Sequence, residues 1–127
     1  MPSKLSEPVN KEFVPYKEAH ALRNLGYQED GFAWYGDDKE LYLSYITASQ
    51  GLLIAPLWQQ AFHFFRKKCQ MECSVYPLTI DGVSTYGFEI TLLGSVRTLG
   101  EGEDYVSHQK AEIECLRAAI KLISDKK

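Results

Sequence analysis

The spacing of apolar residues divides the chain into three helical segments and two pairs of strands, and this order constrains the fold more than any other feature. "PYKEAHALRNLGY", "LWQQAFHFFRKKCQ" and the segment after Ser107 have apolar residues at helical spacing. "FAWY" and "ELYLSYI" flank "GDDK", and "MECSVYPLTI" and "TYGFEITLL" flank "DGVS", so each pair predicts a hairpin. The order αββαββα predicts an α+β fold with a four-stranded antiparallel sheet and three helices packed mainly on one face.

The ends of the first and third helices have recognisable residues. Pro15 suits a helix start, and Gly26 can take the left-handed conformation that ends a helix. Ser107 is a candidate N-cap for a helix that runs to about Ile123. Residues 94–106 are rich in glycine and acidic side chains, which predicts a mobile loop ahead of that helix.

The second helix has a clear division between an apolar and a polar side. At about 100° per residue, Trp58, Phe62, Phe65 and Cys69 fall on the apolar side, whereas His63 falls on the polar side with the basic residues. We therefore expect this segment to be a core helix, with His63 facing water.

Alternation along the strands assigns residues to two faces of the predicted sheet. One set should face the helices: Phe32, Trp34, Leu41, Leu43, Cys73, Val75, Phe88, Ile90 and Leu92. The other set should face away, and it is rich in tyrosine, serine and threonine: Tyr35, Tyr42, Ser44, Ser74, Tyr76, Glu89 and Thr91.

Length and composition predict one domain. The chain has 127 residues, of which 45% are hydrophobic, so it can build a core of its own. We expect a single domain over residues 11–124 with flexible tails at 1–10 and 125–127. The apolar runs are shorter than a membrane span, the N-terminus lacks a signal-peptide pattern, and three cysteines suit a reducing compartment, so we expect a cytoplasmic protein.

Part of the sequence resembles a known group of proteins. "YKEAHALRNLGY", "APLWQQAFHFFRKKC", "YGFEI" and "AEIECLRAAIKLI" are similar to segments of uncharacterised small proteins encoded by phages, prophages and mobile elements of gut Bacteroidota. The resemblance covers residues 13–123. It implies a bacterial cytoplasm and a phage-related gene, and it supplies no catalytic residue.

The sequence does not favour catalysis or a bound metal. Cys69 and Cys73 lack the paired spacing of a zinc site, and Cys69 and His63 fall on opposite sides of one helix. The chain has no nucleophile-elbow motif, and "GEGED" lacks the lysine and hydroxyl of a phosphate-binding loop. We expect no enzyme activity, no cofactor, no metal and no small-molecule substrate.

Two classes of partner remain. Tyrosine suits interfaces, so the first hypothesis is binding to a protein partner, or self-association as a homodimer, through the second sheet face. Its residues are Tyr35, Tyr42, Ser44, Ser74, Tyr76 and Thr91. A solvated sheet face explains the same composition.

The alternative is a nucleic-acid-binding accessory protein that uses basic residues at helix ends. The net charge of −3 disfavours this alternative, because non-specific affinity for nucleic acid comes mainly from positive charge. The helix dipole alone also favours basic residues in a last turn. The candidate residues are Arg23, Arg66, Lys67, Lys68 and Arg117.

Overall fold

The computed structural model describes residues 3–4 and 11–125. Within these residues the helices are α1 (Tyr16–Asn24), α2 (Trp58–Cys69) and α3 (His108–Ser124), with a 3₁₀ turn at Ala48–Gln50. The strands are β1 (Ser3–Lys4), β2 (Gly31–Tyr35), β3 (Leu41–Ile46), β4 (Leu53–Ile54), β5 (Met71–Ile80), β6 (Val83–Leu92) and β7 (Thr98–Tyr105). The predicted flexible tails lie outside the described residues, apart from Ser3, Lys4 and Asp125.

The chain divides into two compact units, Met1–Ala61 and Phe62–Lys127, here called the first unit and the second unit. The α+β class is confirmed, but the prediction of one four-stranded sheet is wrong. The four predicted strands belong to two antiparallel sheets: the first sheet has the order β1-β3-β2-β4 and the second has the order β5-β6-β7. Each predicted hairpin forms, but β1 and β4 flank one hairpin and β7 extends the other.

Helix α1 begins and ends where the sequence predicts. Pro15 is its N-cap, and Gly26 follows the C-cap with a φ of 104°. Its buried side includes Ala19 and Leu22. Glu18, in the first turn, is also buried.

The core of the first unit lies on one face of the first sheet. Phe13, Ala33, Leu41 and Ala55 form a buried cluster, and the partly buried Tyr35 and Leu57 pack against it. The buried indole of Trp58 donates a hydrogen bond to the carbonyl oxygen of Lys11 at 2.8 Å.

The predicted facing of β2 is wrong. Ala33 is paired with Leu43 and Tyr35 with Leu41, so Ala33 and Tyr35 share the face of these leucines. Phe32 is on the other face and is 52% exposed. The register shifts between Gly31 and Ala33, and such an irregularity is not visible in a period-2 pattern.

The second hairpin follows the prediction closely. Asp81 and Gly82 have φ values of 53° and 79°, the two positive values that a type I′ hairpin turn requires, and they join Ile80 to its partner Val83. Cys73 is paired with Ile90 and Val75 with Phe88, so the predicted inward face of β5 and β6 is confirmed. Strand β5 is an edge strand, and its Pro77 lies opposite Tyr86.

The prediction of a mobile loop over residues 94–106 is wrong, because Thr98–Tyr105 forms β7. Gly102 explains the difference. A Cβ at this position would lie 2.6 Å from Cε2 of Phe88 and 2.5 Å from the Tyr105 hydroxyl oxygen. Gly102 contributes to the loop-like composition of this segment, but in the structure it allows the rings of Phe88 and Tyr105 to approach the strand.

Helix α3 contacts all three strands of the second sheet. The hydroxyl oxygen of Ser107 accepts a hydrogen bond from the backbone N–H of Lys110 at 3.1 Å, which confirms the predicted N-cap. The side that faces the sheet buries Ala111, Cys115, Leu116 and Ala119, whereas Ile113, Ile120 and Ile123 are only half-buried. Within residues 11–125, no helix has both the length and the hydropathy needed to cross a membrane.

The predicted division of helix α2 into an apolar side and a polar side is confirmed. Phe65 is fully buried and the neighbouring Phe64 is buried, whereas His63, Arg66 and Lys67 are exposed. The histidine in this aromatic-rich segment therefore faces water.

Candidate functional site

The predicted interface residues of the first sheet interact mainly with their own neighbours. Tyr42 stacks on Trp34 with 4.9 Å between the ring centroids, and the Trp34 indole N–H donates to Ser44 Oγ at 2.9 Å. The Tyr42 hydroxyl donates to Asp38 at 2.6 Å, and this bond is the main cause of the raised Tyr42 pKa. Tyr42 and Ser44 therefore stabilise this sheet face and its turn.

Tyr35 lies on the core side rather than with Tyr42 and Ser44. Its hydroxyl donates to the carbonyl oxygen of Val14 at 2.7 Å. Burial, with a smaller contribution from the Glu18 carboxylate, raises the Tyr35 pKa to about 12. The face assigned to Tyr35 from the sequence is thus wrong, because β2 has the opposite facing from the predicted one.

The second sheet keeps its predicted residues together. Ser74 is paired with Glu89, and Tyr76 is paired with Gly87. Thr91 is paired with Glu72 one step further along the same face, so Ser74, Tyr76 and Thr91 all lie opposite the face covered by α3. A Cβ on Gly87 would lie 3.1 Å from Cζ of Tyr76, which places the tyrosine ring over this glycine.

Three carboxylates surround Tyr76. Glu89 is paired directly with Glu101 across β6 and β7. Partial burial raises the Tyr76 pKa, and the charges of Glu103, Glu89 and Glu101 raise it further, in that order. Like charges on neighbouring strands repel, so this cluster does not stabilise the sheet.

Apolar side chains continue this face towards the turn of the hairpin. Ile80 and Val83 are a cross-strand pair, and they are 62% and 63% exposed. Leu78 lies on the same face, between Ile80 and Tyr76. We call the combined region the acidic–apolar surface, and its members are Tyr76, Leu78, Ile80, Val83, Glu89, Glu101 and Glu103.

Of this surface, the sequence pattern assigns only Tyr76 and Glu89 to the sheet face that points away from the helices. Glu101 and Glu103 were missed because their segment resembles a loop, although their spacing of two is the period of a strand. Ile80 and Val83 were missed because they flank a turn. The sequence feature that indicates them is the Asp81-Gly82 pair, because a two-residue hairpin turn places the residues on either side of it directly opposite each other.

Two of the candidate basic residues form ion pairs within the second unit. Arg66 Nε lies 2.6 Å from Glu72 Oε2, and an Arg117 nitrogen lies 3.2 Å from Glu114 Oε1. Lys67 and Lys68 are exposed in the last turn of α2, and Arg23 is exposed near the end of α1. Carboxylates therefore offset part of the positive charge proposed for nucleic-acid contact.

The thiols of Cys73 and Cys115 meet between β5 and α3. Their mutual hydrogen bond and burial raise the Cys115 pKa, which disfavours the reactive thiolate. Within the described residues, no group of three or more His, Cys, Asp and Glu side chains is arranged to hold a metal ion.

Comparisons with known proteins give no relative from which the role of these residues could be transferred. No family model, no curated protein and no solved structure matches the chain. The resemblance to proteins of phages and mobile elements stays a prediction.

Proposed function

We propose that the protein is a non-enzymatic accessory protein of phage or mobile-element type that binds another protein through the acidic–apolar surface. The observation that carries this proposal is the cluster of Glu89, Glu101 and Glu103 around Tyr76, beside the exposed Ile80 and Val83. The carboxylates repel one another, so they weaken the fold, and a binding role accounts for them better than a structural one.

The chemistry of this surface indicates the kind of partner. A segment with lysine or arginine would place positive charge against the three carboxylates, and apolar side chains of the same segment would cover Ile80 and Val83. A second copy of the chain fits less well. A symmetric contact through this face would bring its glutamates close to those of the other copy.

Selection from a displayed library of random peptides tests this proposal. We expect peptides enriched on the wild-type protein to combine basic with aliphatic or aromatic residues. The variant I80S/V83S should lower the affinity of such a peptide by about tenfold or more, because these two side chains form the apolar part of the surface. The triple variant E89Q/E101Q/E103Q should weaken binding and remove most of its salt dependence.

A matched control separates local charge from net charge. The variant E12Q/E29Q/D125N removes three exposed carboxylates elsewhere and should leave peptide binding unchanged. Enrichment of acidic peptides, or equal affinities for the wild type and both surface variants, would contradict the proposal. Light scattering during size-exclusion chromatography should show a monomer without peptide, and a dimer that E89Q/E101Q/E103Q strengthens would identify a second copy as the occupant instead.

A further inference from the structure

A cavity of about 420 Å³ lies in the first unit, between α1 and the end of β2. Tyr16, His20 and Arg23 of α1 line one side, and the segment after β2, including Asp37, lines another. A second cavity of about 250 Å³ shares Arg23, Gly51 and Leu52 with the first. The larger volume falls in the range of pockets that hold small organic molecules.

The aromatic part of the wall is held in place by several contacts. The rings of Tyr16 and Tyr35 meet edge to face, with 5.5 Å between their centroids. The hydrogen bond from Tyr35 to the Val14 carbonyl oxygen fixes one of these rings. Lys39 Nζ lies 5.5 Å from the centroid of the Tyr16 ring. A wall of pre-positioned rings suits a flat ligand, since little side-chain freedom is lost on binding.

The charged groups of the wall indicate the sign of the ligand. The side chain of Arg23 is exposed and borders both cavities. Asp37 is a carboxylate of the wall, and Lys39, which does not line the cavity, brings a positive charge to within 5.5 Å of the Tyr16 ring centroid. His20, which contacts Asn24 and Tyr16, can donate or accept a hydrogen bond here.

We propose that this cavity binds a small organic anion with a planar ring, whose anionic group pairs with Arg23 and whose ring packs on the wall formed by Tyr16 and Tyr35. Arginine is suited to this role because its planar fork can bind a carboxylate or a phosphate through two hydrogen bonds. Both mononucleotides and aromatic carboxylates have this chemistry. The sequence predicts no small-molecule ligand, because Tyr16, Arg23 and Tyr35 form no recognised binding motif.

Calorimetric titration of the full-length protein tests the site with two probes. Adenosine 5′-monophosphate represents the mononucleotides and 4-hydroxyphenylacetate the aromatic carboxylates, and the probe that binds identifies the source. We expect saturable binding of at least one probe with a Kd below about 1 mM. Adenosine and inorganic phosphate, which each have only half of the required chemistry, should bind at least tenfold more weakly than the nucleotide.

Substitutions in the wall make the test specific. R23Q should weaken binding about tenfold or more, since a charge-assisted pair is lost, whereas R97Q removes an exposed arginine of the second unit and should have no effect. D37N should tighten binding two- to threefold by removing a like charge from the wall. Saturation by neither probe, equal binding by R23Q, or weaker binding by D37N would overturn the proposal, and circular dichroism would verify that each variant is folded.

Discussion

At the scale of single residues, the structure separates tyrosines that share one sequence pattern. Tyr35 is half-buried and donates to a backbone carbonyl, whereas Tyr76 lies among carboxylates on an open sheet face. Alternation along a strand gives a face to each residue only relative to its neighbours. It could not predict that small Ala33, rather than Phe32 or Trp34, would face the core of the first unit.

The hydroxyl of Tyr35 leads to a prediction about stability and pH. Y35F should lower the free energy of unfolding at pH 7 by about 1 kcal/mol, because the hydrogen bond to Val14 is lost. The folded-state pKa of Tyr35, about 12, lies above its usual value of 10. The stabilising effect of the neutral hydroxyl is therefore complete below pH 10 and is lost as the pH rises through 12.

Urea unfolding at pH 7 and at two or three alkaline pH values measures both effects. We expect the stability of Y35F to fall less steeply above pH 10 than that of the wild type. Y86F, whose ring packs against His108, serves as the control at pH 7 and should cost less than Y35F. Identical alkaline slopes for Y35F and the wild type would show that Tyr35 does not cause this pH dependence.

At the scale of elements, the sequence predicts the helices and strands whose apolar residues recur at a regular spacing. The three helices, both hairpins and the Ser107 cap are strong local signals, and all of them form. Strands β1 and β4 have two residues each and are too short for any period. Strand β7 has the composition of a loop. The reason for the glycine at position 102 is the packing of Phe88 beside it, which the local sequence does not show.

Strand β7 therefore offers a comparison between two glycines. G102A should destabilise the protein by about 1–3 kcal/mol, because the added methyl group would meet Phe88 and Tyr105 at less than contact distance. G100A is the matched control in the same strand, since its nearest atoms would be 3.7 Å away. Thermal and urea unfolding of both variants give the measurement, and equal losses would contradict close packing at Gly102.

At the scale of the whole molecule, charge disfavours nucleic acid as the macromolecular partner. The net charge is −3, and Arg66 and Arg117 have carboxylates beside them. The sequence predicted the candidate residues of both hypotheses, but it could not predict which charges pair. Glu72 and Glu114 compete for two of the five basic residues on which nucleic-acid binding would depend.

We therefore expect weak binding to nucleic acid, and titration of labelled nucleic acid tests this expectation. At physiological salt, we expect duplex DNA and single-stranded RNA to show no saturation below about 100 μM protein, the weak end of non-specific affinity. The measurement is fluorescence anisotropy at several salt concentrations. Tight binding that weakens linearly with the logarithm of salt, and that K67Q/K68Q abolishes, would favour the nucleic-acid alternative.

Pro77 has a consequence for how the protein behaves in a crowded solution. Ile80 and Val83 flank a two-residue turn and form a hydrogen-bonded pair, so by alternation Pro77 and Tyr86 form a non-hydrogen-bonded pair. The nitrogen of Pro77 thus lies on the side of β5 that pairs with none of the described strands, and a proline there cannot donate to another strand. A ten-residue edge that would otherwise template intermolecular sheet growth is interrupted near its middle, which protects the hairpin against aggregation.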